Sequence, residues 1–73
     1  HELSPREIEV LKGLRDGMSL QEIGKHLRVA ERTVRADVAT IKEKLGAATI
    51  GQVIARAFER GILAFSRLGP ARK

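Results

Sequence analysis

Apolar residues recur along this chain at intervals of three and four, and nowhere sustain the strict alternation with polar residues that marks a half-buried strand. That period is the signature of an amphipathic helix. Four segments separate, over about 5–16, 20–27, 31–45 and 50–60, so the predicted fold class is all-α, a small four-helix domain. In the first, Ile8, Leu11 and Leu14 share a face with Val10 beside it; in the second, Leu20, Ile23 and Leu27 do so. Val34, Val38, Ile41 and Leu45 of the third recur at spacings of four, three and four, one straight stripe. Ile50, Val53, Ile54, Ala57 and Phe58 make the stripe of the fourth.

Start and stop signals agree with this division. Ser4 with Glu7, Ser19 with Glu22 and Thr49 with Gln52 read as capping boxes, each satisfying backbone donors that a helix start leaves orphaned. Pro5 suits a first helical position, and Leu3 with Ile8, and Met18 with Ile23, can staple across the caps. The third segment lacks such a cap because Ala30 stands at its start, and Glu31 is expected to take over part of the capping. Gly17, Gly46 and Gly61 are the stops. The domain is expected to occupy residues 1–65, with 66–73 a flexible basic tail that has little to bury.

Segments two and three, a short helix and a longer one joined by a tight turn near Leu27 to Ala30, have the proportions of a helix-turn-helix. Gly24 lies where the two must approach closely. Such a pair leaves its second helix proud of the surface, sized for a major groove about 12 Å wide. With the Val34–Leu45 stripe turned inward and about 100° per residue, Arg32, Ala36, Ala39 and Glu43 point most directly outward. Thr40 sits beside them, Arg35 and Lys42 on one flank, Thr33, Asp37 and Lys44 on the other. Arg32 and Arg35 are the candidates to read base edges, and small Ala36 and Ala39 would let the helix lie deep. Thr33, Thr40 and Lys42 are candidates for phosphate oxygens, as is the start of the second helix at Ser19.

Composition narrows the function classes. A 73-residue chain supports one modest core, and the absence of cysteine excludes disulfides and thiolate metal sites. No cofactor or metal is expected: His1 and His26 are far apart, no Gly-rich phosphate loop occurs, and no nucleophile has a base in motif context, so the chain is not read as an enzyme. No apolar run approaches the length of a membrane span, and a cytoplasmic setting is the expectation. Net charge is +5, but residues 1–30 are balanced and most of the excess lies between Arg56 and Lys73, so bulk charge alone argues weakly for a polyanionic partner.

Leu3-Ser4-Pro5-Arg6-Glu7, Val10-Leu11, Gly17, Glu22-Ile23-Gly24, Leu27, Thr33-Val34-Arg35 and Lys44-Leu45-Gly46 together resemble the LuxR-type (GerE-like) DNA-binding domain over residues 3–63. The resemblance implies a four-helix output domain of response regulators and quorum-sensing activators that binds double-stranded DNA through its third helix. It puts Arg35, Ala36 and Ala39 in base-facing positions and Thr33 and Lys44 near the DNA backbone. Glu7 becomes an internal salt-bridge partner, and the fourth helix a dimerisation element, with Ile50, Ile54 and Ala57 the candidate contacts. RNA polymerase is a further implied partner; a small-molecule ligand is not. Departures are also present. Asp37 stands where the family often has histidine, which predicts repulsion from phosphates; Ile50 replaces a frequent arginine; Ala39 replaces a polar or basic reader. Two rival readings stay open at this point, a degenerate helix-turn-helix used for protein contact, and the promoter-reading fourth region of a sigma factor.

Overall fold

The computed structural model describes residues 3–63; His1 and the basic tail at 66–73 lie outside the described residues. Four α-helices follow in order, α1 Pro5–Arg15, α2 Leu20–Leu27, α3 Glu31–Leu45 and α4 Ile50–Glu59, within a residue of the expected boundaries and with no strand among the described residues. None of these helices is long and apolar enough to cross a membrane.

Two of the three expected capping boxes close. The Glu7 N–H donates to Ser4 Oγ at 3.1 Å and the Ser4 N–H to Glu7 Oε1 at 2.8 Å, and Ser19 and Glu22 repeat both bonds at the same distances. The third is different. Gln52 N–H donates to Thr49 Oγ1, but the Gln52 side chain reaches one residue further back and accepts from Ala48 N–H at 2.7 Å. Ala30 makes no side-chain cap, and Glu31 does not replace it, because its carboxylate is drawn to Arg35 at 2.6 Å.

All four helices end in the same way, with an N–H reaching back five residues: Met18 to Gly13 O, Val29 to Gly24 O, Ala47 to Lys42 O and Ile62 to Ala57 O. The preceding residue is left-handed each time, glycine at 17, 46 and 61 but Arg28 (φ +62°) after α2. A side chain there costs about 1 kcal/mol or more. Arg28→Gly should therefore raise the thermal midpoint by a few degrees, read by a circular-dichroism melt; an unchanged or lower midpoint would show that Arg28 contributes more through its side chain than its backbone costs.

The core gathers around α3, which packs on each of the other helices. Val34, Val38, Ile41 and Leu45 of α3 are buried as the stripe predicts, against Val10, Leu11 and Leu14 of α1, Ile23 of α2, and Val53 and Ala57 of α4. Leu20, Leu27, Ile54 and Phe58 pack partly buried against this cluster. Three placements depart from the sequence reading. Ile8 is only half-buried and outside the cluster, because Glu7 takes the inward position of that turn. Leu63, past the last helix, enters the core. Ala57 is fully buried by its own chain, which corrects its assignment as a dimer contact: a methyl group with no exposed surface has nothing to offer a second subunit.

Candidate nucleic-acid interface

The turn that mounts α3 is only Arg28 to Ala30, and Gly24 makes it possible. A Cβ at position 24 would lie 2.8 Å from the Val29 carbonyl oxygen and 3.5 Å from the Glu31 nitrogen. The chain leaving α2 thus runs directly across the bare α-carbon, and the Val29 N–H closes the loop on Gly24 O at 2.9 Å. Gly13 has a related role on α1, where a Cβ would meet Ile23 Cγ1 at 2.7 Å. These close approaches set α2 and α3 on the body of the domain.

On the outer side of α3, Arg32, Arg35, Ala36, Ala39 and Glu43 are all exposed. Arg32 makes no ion pair or side-chain hydrogen bond among the described residues. Arg35 pairs with Glu31 one turn back, both side chains being well exposed; such a pair is worth only tenths of a kcal/mol and gives way readily to a phosphate or base. Lys42 is half-buried on the flank, and Thr33 is half-buried on the other. Thr40 does not hold its hydroxyl hydrogen outward, because it donates to the Ala36 carbonyl at 3.1 Å. Its outward capacity is that of an acceptor, so a phosphate donor role requires the hydroxyl to rotate. Ser19 is exposed at the start of α2; its oxygen holds the Glu22 N–H, and the first-turn N–H groups of Leu20 and Gln21 have no partner within the helix.

The flank toward α1 holds what the sequence reading missed. Asp37 is 7% exposed and carries a two-pronged pair with Arg6 of α1, Nε to Oδ2 at 2.8 Å and Nη2 to Oδ1 at 3.0 Å. The expected bare repulsion of phosphates by Asp37 is corrected: the carboxylate is turned inward and its charge is met by a guanidinium. Two turns on, Lys44 Nζ donates to Glu7 Oε1 at 2.9 Å, which gives Glu7 its implied internal partner and draws the Lys44 ammonium toward α1. Burial raises the pKa of Glu7, but the Ser4 N–H, the Lys44 hydrogen bond and the Lys44 charge together outweigh it, holding the carboxyl below its ordinary 4.5. A signal for this clamp was present. Adjacent Arg6 and Glu7 have opposite signs, as do Asp37 and Lys44, two turns apart on one stripe.

Comparison with known proteins bears on which of the three readings this geometry serves. The sequence pattern of the bacterial regulatory proteins of the luxR family matches residues 1–57. The chain belongs to that family. Among curated relatives, it is 41% identical over 54 residues to a probable HTH-type transcriptional regulator, GfsR, of Streptomyces halstedii, covering 74% of this chain and 22% of that protein. It is 36% identical to the transcriptional regulatory protein YdfI of Bacillus subtilis, covering 85% of this chain and 29% of the relative. It is 38% identical to the transcriptional activator protein BjaR1 of Bradyrhizobium diazoefficiens, covering 84% and 25%. A crystal structure of the response regulator ChrA, from a heme-sensing two-component system, superposes with a TM-score of 0.82 at 32% identity, over 86% of this chain and 31% of that one.

The chain thus spans less than a third of each of these relatives. Membership of the luxR family assigns it to DNA-binding transcriptional regulators and not to enzymes. The sigma-factor reading gives way, since the match runs to this family through the Lys44-Leu45-Gly46 boundary and into α4.

Proposed function

We propose that this luxR-family domain binds double-stranded DNA sequence-specifically, with α3 in the major groove, as part of a cytoplasmic transcriptional regulator. The observation that carries the reading is the outer face of α3: Arg32, Arg35, Ala36 and Ala39 are all exposed there, on a helix whose opposite face is fully committed to the core. Rigid mounting matters, because base readout needs side chains fixed in register. Arg32 and Arg35 are the proposed base readers, and Ala36 and Ala39 the close-approach positions. Ser19 with the first-turn N–H groups of α2, Thr33, Thr40, Lys42 and Lys44 are the proposed backbone contacts, Lys44 reaching phosphate from its place beside Glu7.

Dimerisation through α4 belongs to the same proposal. Ile50 is the one exposed large hydrophobic among the described residues, at 40%, and Ile54 is half-buried next to it. A dimer would place half-sites about 10 base pairs apart, one helical turn. The inward Asp37 offers no acidic surface to a protein partner, which weighs against the protein-contact alternative; exposed Glu43 remains on its side.

Arg35→Ala should weaken binding to a selected operator by about 1–3 kcal/mol and relax the preference at one base pair. Gel shifts with operators recovered by selection from a random duplex pool check this. If Arg35→Ala and Arg32→Ala both bind like the parent, those residues are not the readers; if the parent itself is not retained on DNA at low salt, the protein-contact reading replaces this one.

A further inference from the structure

Thr33, Asp37, Thr40 and Lys44 form a stripe on α3 with the same four-three-four spacing as the core stripe, displaced from it by one residue. Three of the four are half-buried along the edge of the exposed face; Asp37, between the two threonines, is buried. What occupies the edge at its position is the guanidinium of Arg6. The Arg6 side chain is 51% exposed while that of Asp37 is 10%, so the pair is sealed on the carboxylate side and open on the arginine side. A guanidinium carries five N–H donors in a fixed plane, and Asp37 accepts two of them. No other described residue accepts from Arg6.

We infer that Arg6, held by Asp37, is a further contact to the DNA phosphate chain, delivered by α1 to the Thr33–Thr40 edge of the reader helix; this rests on the DNA-binding reading above. Two-pronged arginine–carboxylate pairs are geometrically specific, so the remaining donors of Arg6 face outward in a fixed direction before any ligand arrives. Ordering a long, rotamer-rich side chain is a cost that association otherwise bears, and here it is met in the free protein. Asp37 is in these terms a positioning residue. Its charge cancels that of Arg6 at long range, so the pair acts through directed hydrogen bonds at contact and not through attraction at a distance.

That cancellation supplies the test. Arg6→Gln with Asp37→Asn leaves the net charge unchanged and so replaces the held guanidinium fork by a shorter neutral amide without altering the far field. With a labelled mixed-sequence 30-base-pair duplex and fluorescence anisotropy at low salt, the double variant should bind about tenfold more weakly than the parent while its melt stays close to the parent's. Asp37→Asn alone adds one positive charge, yet should bind no tighter, because Arg6 loses its holder. Equal affinity of parent and double variant, or tighter binding by Asp37→Asn, overturns the inference and leaves the DNA-binding reading intact. A parent that binds no duplex overturns both. Should the double variant melt below the assay temperature, Arg6→Lys, which keeps the charge but not the fork, takes its place, and parental affinity there is equally fatal.

Discussion

Glu7→Ala should lower the stability of this domain by about 2–3 kcal/mol, a fall in thermal midpoint of roughly 10–20 °C for a domain of this size. The carboxylate does two jobs from one buried position. It accepts the Ser4 N–H at 2.8 Å, closing the cap of α1, and it accepts from Lys44 at 2.9 Å, tying α1 to the end of α3. Loss of a cap alone costs about 1 kcal/mol. Removing one member of a buried pair costs about 3–5 kcal/mol when its partner is stranded, but the Lys44 side chain is 34% exposed and can turn to water, so the lower total applies.

Acid should reveal the same group. The folded-state pKa of Glu7 lies below its ordinary 4.5, so its stabilising contribution is complete above that unfolded value and is lost as pH falls through the folded one. Melts of the parent should therefore hold steady above about pH 5 and fall below it, while Glu7→Gln, which has no proton to take up there, falls less steeply. Asp16, held below its ordinary value first by its hydrogen bond from Arg15, shifts in the same sense but is present in both proteins and cancels in the comparison. Parallel acid limbs would remove Glu7 from the account.

Gly24→Ala should destabilise by about 1–3 kcal/mol, although alanine is the better helix former by about 1 kcal/mol. A Cβ there would lie 2.8 Å from a backbone oxygen, and that oxygen belongs to the turn that carries α3, so relief has to come from shifting the reader helix. DNA affinity should accordingly fall more than the population of folded protein. Gly51→Ala on α4 is the control: its Cβ would meet nothing nearer than Thr49 Oγ1 at 3.8 Å, and the intrinsic preference should win, with a small gain. Paired urea titrations read both signs. If both substitutions stabilise, the close approach at Gly24 is softer than its geometry implies.

The linear pattern carried much of this fold, for local reasons. A helix start, a cap and a periodic apolar stripe are all written within a few residues of one another, so Ser4 with Glu7, Ser19 with Glu22 and the Val34–Leu45 stripe were legible and stand as read. Gly24 was legible too, as a small residue at the point where a short turn has to cross its own helix. Two of the misreadings were local. Gln52 and Glu31 each had two acceptable partners within reach, Thr49 N–H or Ala48 N–H for one, the helix start or Arg35 for the other. Periodicity ranks faces and does not choose between near-equal local hydrogen bonds. The stripe of α4 placed Ala57 correctly as apolar but could not say what covers it; the domain itself does so from within.

What the chain's own order of residues decided is where each helix begins and ends, which side of each is apolar, and that α3 presents arginines away from that side. Those are short-range matters, set by dihedral preference, capping and an apolar period of 3.6 residues. What only the folded molecule decided is the meaning of its charges. Whether Asp37 repels a polyanion or holds an arginine toward one depends on Arg6, 31 positions away in the chain and 2.8 Å away in space. Coulomb and hydrogen-bond energies fall off with distance through space and take no account of separation along the backbone, so no reading of neighbours in sequence contains them.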